Sequence, residues 1–207
     1  MYSYLKIEQN FVPEQIIETL LQNKSKDHSP ALVGWGNNQN PTDYRKTNWL
    51  TLPEHIRSRL HSTIFDIHEQ HLKSLYKSKV KSIESPQFLC YDKNGHYDKH
   101  NDSESFVDGK LQRVVNRDIS LLLYLNDDYE GGEIEFTQLQ LTIKPKKGML
   151  IAFPSYYEFE HKVHPVISGT RYNIVSWIET EERIYERPYS TRSIQQTWVL
   201  SNKELHT

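Results

Sequence analysis

The sequence holds one cysteine, Cys90, among 207 residues. A lone thiol gives no disulfide framework and no cage of several thiolates around zinc. Long hydrophobic runs are missing too. "ISLLLYL" and "MLIAF" are the longest apolar stretches, far short of the ~20 residues that a membrane-spanning helix needs. No membrane is therefore expected as a partner. No charge of one sign dominates either: Lys+Arg 25 stand against Asp+Glu 27, for a formal charge of -2. Phosphate backbones select basic surfaces, so no nucleic acid is expected. The opening "MYSYLKIEQNF" lacks the basic-then-apolar order of a secretory signal. These absences lead to the expectation of a soluble, cytoplasmic protein.

Hydrophobic residues make up 36% and aromatics 12%, with 13 Tyr. That is enough for a real core, and the length suits a single domain over 1–207. The pattern divides the chain. A helical N-terminal part covers about 1–84. "VPEQIIETLLQNK" puts Pro13 at a helix start, with Ile16, Ile17, Leu20 and Leu21 on one face. "LPEHIRSRLHSTIFDIHEQHLKSLY" repeats the device with Pro53, Ile56, Leu60, Ile64 and Ile67. Residues 25–48 between them are polar and read as a long loop. From about 85 to 182 the chain becomes short apolar or alternating segments. Turn signals such as Asn94-Gly95, Gly131-Gly132 and Ser168-Gly169 separate them. Many short strands predict an antiparallel sandwich or barrel, in an α+β layout with the helices backing one sheet. Residues 183–207 form a C-terminal extension, ambiguous between a strand and a short helix.

Chemistry concentrates in two stretches, "HYDKHNDSES" (96–105) and "HKVHPVISGTRYNIVSW" (161–177). On a strand, i and i+2 share a face, so His100 and Asp102 can aim an imidazole and a carboxylate at one point. A further histidine from a neighbouring strand would complete the two-His, one-carboxylate set of non-haem Fe(II) oxygenases. His161 is the candidate, with His164 as the alternative. Arg171 offers a rigid fork that can grip a carboxylate. A tyrosine hydroxyl, with Tyr91 the candidate, could add a bond to the same group.

These spacings resemble the prolyl-4-hydroxylase-like branch of the Fe(II)/2-oxoglutarate-dependent dioxygenases. "YDKNGHYDKHND" is similar to that family's tyrosine, glycine, tyrosine and His-x-Asp block. "RDISLLLYLNDDYEGGEIEF" is similar to its central strand and Gly-Gly-Glu turn, and "KKGMLIAFPS" to the strand before its second histidine. The stretch "HKVHPVISGTRYNIVSW" matches its order of histidine, Pro-Val, glycine, basic residue and tryptophan. The likeness covers Gln87 to Glu179. It implies a double-stranded β-helix (jelly-roll) core. It implies Fe(II) held by His100, Asp102 and His161, and 2-oxoglutarate held by Arg171 and Tyr91. It also implies dioxygen as cosubstrate and ascorbate as reductant. The expected reaction hydroxylates an unactivated C–H bond while 2-oxoglutarate becomes succinate. Asp102, where halogenating relatives carry a small residue, favours hydroxylation.

The substrate is less legible. A peptidyl proline or other peptide side chain comes first, and a free amino acid or small metabolite second. A non-catalytic metal- or sugar-binding jelly-roll module is the reading from another class; it would not need Arg171 and Tyr91 in register. Arg45, Trp49 and Tyr97 are candidate substrate contacts, and the loops 25–48 and 101–114 candidate lids. His96 is expected in an exposed turn, and His68 and His71 on a solvated helix face. Cys90 is expected as a small buried residue, and Leu122 and Trp177 as pocket walls. Oligomeric state is left open.

Overall fold

The computed structural model describes residues 3–31 and 43–184. The middle of the first predicted loop (32–42) and nearly all of the C-terminal extension (185–207) lie outside the described residues. The chain forms β1 (Lys6–Glu8), α1 (Glu14–Asn23), β2 (Ser29–Pro30), β3 (Arg45–Lys46), β4 (Asn48–Leu50) and α2 (Glu54–Ile67). A π-helical turn (His68–Leu72) and α3 (Lys73–Tyr76) carry α2 onward to β5 (Val80–Ile83), β6 (Gln87–Tyr91) and β7 (His96–His100). Next come β8 (Glu104–Val107), β9 (Lys110–Arg113), β10 (Ile119–Tyr124), β11 (Glu130–Gly131) and β12 (Ile134–Phe136). The last strands are β13 (Leu141–Ile143), β14 (Leu150–Pro154), β15 (His161–Val163), β16 (Val166–Ser168) and β17 (Arg171–Thr180).

Two antiparallel sheets face each other as a jelly roll. The larger runs β1-β14-β10-β17-β6-β4-β2, with β5 also on β17; the smaller runs β13-β12-β15-β7-β3. One core lies between them, built from residues such as Leu89, Leu122, Phe136, Ile151 and Val175. A second core lies on the other face of the large sheet, where Leu121, Leu123 and Ile174 meet Ile17, Leu20, Leu60 and Ile64 of the helices. β10 is buried on both faces, which is why "ISLLLY" is almost wholly apolar instead of alternating.

The first 84 residues are less purely helical than their periodicity predicts. Five short strands accompany the helices, and β1 extends the large sheet beside β14. Strands of two to four residues leave too little pattern to detect. His68 also departs from expectation: it is fully buried. It belongs to the row Leu60, Ile64, His68, Leu72 and Tyr76, spaced four apart along the inner face, and its Nε2 meets the Ser78 hydroxyl at 3.0 Å. His71 packs edge-on against Phe11. The predicted loop 101–114 is a hairpin, β8 and β9 turning at Asp108-Gly109, both with positive φ.

Candidate active site

β7 and β15 are neighbours, with His100 in register with His161 and Tyr97 with Val163. Three steps on β7 thus match two on β15. Such a bulge re-aims side chains, and here it stacks Tyr97 on His100, with ring centroids 3.6 Å apart and 18° between planes. β7 ends at His100, so Asp102 is not the next same-face residue of a strand, as its spacing suggested. It sits in the bend beyond, where its N–H donates to the Ser155 carbonyl at 3.2 Å.

The bend still delivers the carboxylate to the imidazoles. The ligand atoms of His100, Asp102 and His161 all lie within 4.8 Å of one another. His100 Nε2 is 3.7 Å from Asp102 Oδ1, and His161 Nε2 is 4.0 Å from Oδ2. Each ring's Nδ1 is tied to a backbone carbonyl: Asp98 at 2.7 Å for His100 and Phe159 at 2.9 Å for His161. Donation from Nδ1–H fixes the tautomer and leaves the Nε2 lone pairs pointing at one spot. The Ser120 hydroxyl donates to Asp102 Oδ2 at 2.6 Å. Arg117 donates to the Asp102 carbonyl at 3.3 Å. Glu84 grips that guanidinium with both oxygens, at 2.6 and 2.7 Å, and the Trp177 ring lies 3.6 Å from it.

Electrostatics follow from burial. Desolvation, helped by the neighbouring His161, pushes His100 down to about 3. Burial alone would raise the Asp102 carboxyl. His161, His100, Arg117 and the Ser120 hydrogen bond outweigh it and hold the group below the usual carboxylate range. At neutral pH His100 therefore offers a free lone pair and Asp102 a negative charge. Two imidazoles and one carboxylate on one side of a cavity suit a six-coordinate divalent iron with open positions.

Arg171 is the largest fully buried side chain, 1% exposed. It begins β17, in register with Tyr91 of β6. Its Nη2 donates to the Tyr124 hydroxyl at 3.2 Å, and its guanidinium carbon lies 4.8 Å from the Tyr91 ring centroid and 5.0 Å from that of Tyr124. Its Nε and Nη1 are buried with no partner. An unpaired buried cation costs several kcal/mol, and donors idle on two of its three nitrogens leave it open to an incoming carboxylate. The donor set and this orphaned fork are what an iron and a dicarboxylic keto acid require.

One cavity of about 550 Å³ joins these parts. It is lined by the two histidines, Asp102, Arg171 and Tyr91, with Leu89, Leu122, Val175 and Trp177 as walls. Arg45, Trp49 and Tyr97 line it too; Arg45 lies over the Tyr97 ring at 4.6 Å, and Trp49 is 40% exposed. His164 is turned away and meets Glu135 Oε2 at 2.7 Å. His96 bridges the carbonyls of Asn94 and Asp43, at 2.9 and 2.6 Å. The residues missed from sequence are Tyr124, Ser120, Arg117 and Glu84. Tyr124 had a weak signal, since alternation puts it on the face of Leu122. The other three had none.

Residues 86–179 match the family model described as the 2OG-Fe(II) oxygenase superfamily. Over that stretch the chain is similar to members of the superfamily, prolyl hydroxylases among them. A "PKHD-type hydroxylase" of Synechococcus is 33% identical over 116 residues, 54% of this chain and 50% of that protein. Human "Prolyl 3-hydroxylase 2" is 46% identical over 66 residues, 30% of this chain and 9% of that protein. The chain spans about half the length, or less, of these curated relatives. Among solved structures, a Trichoplax adhaerens prolyl hydroxylase bound to a hypoxia-inducible-factor peptide superposes with TM-score 0.67 at 20% identity, covering 88% of this chain and 86% of that one. The fold is the same; at that identity the likeness speaks for the fold alone. No helix of the described residues is long and apolar enough to cross a membrane.

Proposed function

We propose that this protein is an Fe(II)- and 2-oxoglutarate-dependent hydroxylase of a peptide side chain, with a prolyl residue as the first candidate. The observation that carries the reading is the buried Arg171 fork. Its Nε and Nη1 have no hydrogen-bond partner among the described residues, and it lines the same cavity as His100, Asp102 and His161. In this reading the two Nε2 atoms and the Asp102 carboxylate hold the iron. Arg171 and the Tyr124 hydroxyl hold the far carboxylate of 2-oxoglutarate, with Tyr91 beside them. When bound, iron and cosubstrate would supply the oxidising power: dioxygen is consumed, 2-oxoglutarate becomes succinate and CO2, and one oxygen enters a C–H bond, ascorbate serving only to return iron oxidised off this path to Fe(II).

The chain's own work is positioning and exclusion of water. Ser120 and Arg117 fix the bend that carries Asp102, so the carboxylate does not swing. Leu89, Leu122 and Val175 present an apolar wall that keeps bulk water from the reacting region. Arg45, Tyr97 and the half-open Trp49 form the substrate rim. The β8–β9 hairpin contributes Glu104 and Ser105 to the cavity lining and covers the mouth as a lid. The similar prolyl and PKHD-type hydroxylases support a peptidyl substrate. Helices and sheets work as one catalytic unit.

Succinate release from 2-oxoglutarate, with Fe(II) and no prime substrate, tests the reading. Slow turnover is expected, absent in Asp102→Ala. Metal binding without any binding of 2-oxoglutarate would instead identify a non-catalytic jelly-roll module.

A further inference from the structure

A second group of metal-type ligands lies on the opposite face of the large sheet. Cys90 and Asp92 flank Tyr91. Tyr91 faces the cavity between the sheets, while Cys90 belongs to the core under the helices. Two strands further along, His28 directly precedes β2, which pairs with β4, which pairs with β6. The ligand atoms of His28, Cys90 and Asp92 lie within 4.8 Å of one another. We propose that these three residues form a second metal site, distinct from the His100–Asp102–His161 centre, for a zinc-class divalent cation.

The three side chains converge, through long sulfur hydrogen bonds and a His28–Asp92 approach too long for one. Cys90 Sγ is 4.0 Å from His28 Nδ1 and 3.7 Å from Asp92 Oδ1. His28 Nδ1 is 3.7 Å from Asp92 Oδ2, beyond a normal N–H···O contact. Zinc bonds of about 2.3 Å to sulfur and about 2.0–2.1 Å to nitrogen or oxygen, at tetrahedral angles, put ligand atoms roughly 3.3–3.6 Å apart. The three ligand atoms, within 4.8 Å of one another, need to close inward onto one ion. The same 3.7 and 4.0 Å spacings separate the ligands of the iron-type centre.

Supporting contacts have the form that a metal ligand needs. The Thr170 hydroxyl donates to Asp92 Oδ1 at 2.9 Å, and the Asn48 amide donates to Oδ2 at 3.4 Å. Both fix the direction of the carboxylate. Cys90 is wholly buried, whereas the His28 and Asp92 side chains are 36% and 48% exposed, so the ion has a route in. Charge balances: one thiolate, one carboxylate and one neutral imidazole around a divalent cation sum to zero. Binding converts the Cys90 thiol to thiolate and releases one proton to solvent. Three protein ligands leave the fourth tetrahedral position to water.

Cobalt(II) titration of the metal-free full chain gives a selective readout. The iron-type centre contains no sulfur, and Cys90 is the chain's one thiol. A near-ultraviolet thiolate-to-cobalt charge-transfer band can therefore come only from Cys90. We expect the band to saturate near one equivalent per chain at this site, and to persist in Asp102→Ala. Cys90→Ser should abolish it. His28→Ala and Asp92→Asn, both at solvent-accessible positions, should each weaken cobalt binding at least ten-fold while circular dichroism stays native. No band in the wild-type chain overturns the proposal. So does an affinity that either His28→Ala or Asp92→Asn leaves unchanged, since the thiol would then bind without the others. Persistence of the band in Asp102→Ala keeps this outcome separate from that of the hydroxylase reading.

Discussion

Arg171 sets a trade between stability and binding at the scale of one residue. Its guanidinium is buried with two nitrogens unpartnered among the described residues, so the empty protein carries an uncompensated charge. Replacing it with an apolar side chain of similar length removes that cost and the anion grip together. Arg171→Met is expected to melt at or above the wild-type temperature without ligand, yet to show no thermal shift with 2-oxoglutarate. Its KM for the cosubstrate should rise about 100-fold, the loss of about 3 kcal/mol typical when one partner of a buried charged pair is removed. A variant that melts much lower, with binding intact, would make Arg171 a structural residue. Tyr124→Phe removes only the hydroxyl that accepts from Arg171. Roughly a ten-fold rise in KM with kcat little changed is expected, from a hydrogen bond to a charged group. At this scale the sequence showed residue types and spacing. His100, His161 and Arg171 could be singled out because their spacings are local. Tyr124 could not be matched to Arg171, 47 positions away, until β10 and β17 were known to be neighbours.

Elements hold these residues through register, and register depends on a few turns. Gly131 in β11 has φ +73°, and a Cβ there would run into the Pro165 carbonyl oxygen, on the chain just ahead of β16. Gly131→Ala must therefore strain the backbone or push β16 aside, and β16 follows closely on β15 and His161. A loss of about 2 kcal/mol is expected from a Cβ forced into such a position. That corresponds to roughly 4–8 °C in melting temperature for a chain of this size. Thermal unfolding by circular dichroism checks it, and an unchanged transition would mean the β11–β16 pair yields freely. The same level explains what could be read in advance. Long apolar runs such as β10, and helices with a four-residue rhythm such as α2, declare themselves. Two-residue strands do not, because their pairing comes from tertiary neighbours. The β7 bulge was hidden for a similar reason: it exists only relative to β15. Asp102 was thus assigned the right neighbours by the wrong route, a strand where the chain makes a bend.

Whole-molecule stability gathers the buried titrating groups into one pH profile. Burial lowers His68 from its ordinary value, against the opposing pull of Glu69, and pushes His100 down to about 3. Both imidazoles are neutral in the fold and protonate more readily once it opens. A depressed folded-state pKa means that the unfolded chain binds more protons below pH 6.5. The stabilisation is thus complete above that pH and is lost as pH falls toward the folded-state values. Asp102, also depressed, works in the same direction from the ordinary carboxylate range downward. Each group contributes at most about 1.4 kcal/mol per pH unit within its own window. Urea unfolding of the metal-free chain between pH 7.5 and 4 should give a free energy that is level at the top and falls steadily below about 6.5. His68→Asn deletes one of the two imidazoles, outside the cavity, and should flatten the slope without removing it. If the wild-type free energy stayed level down to pH 4, the imidazoles would have to be free to protonate within the fold. The lone pair that His100 turns toward Asp102 would then carry a proton, and the donor set would lose the chemistry assigned to it.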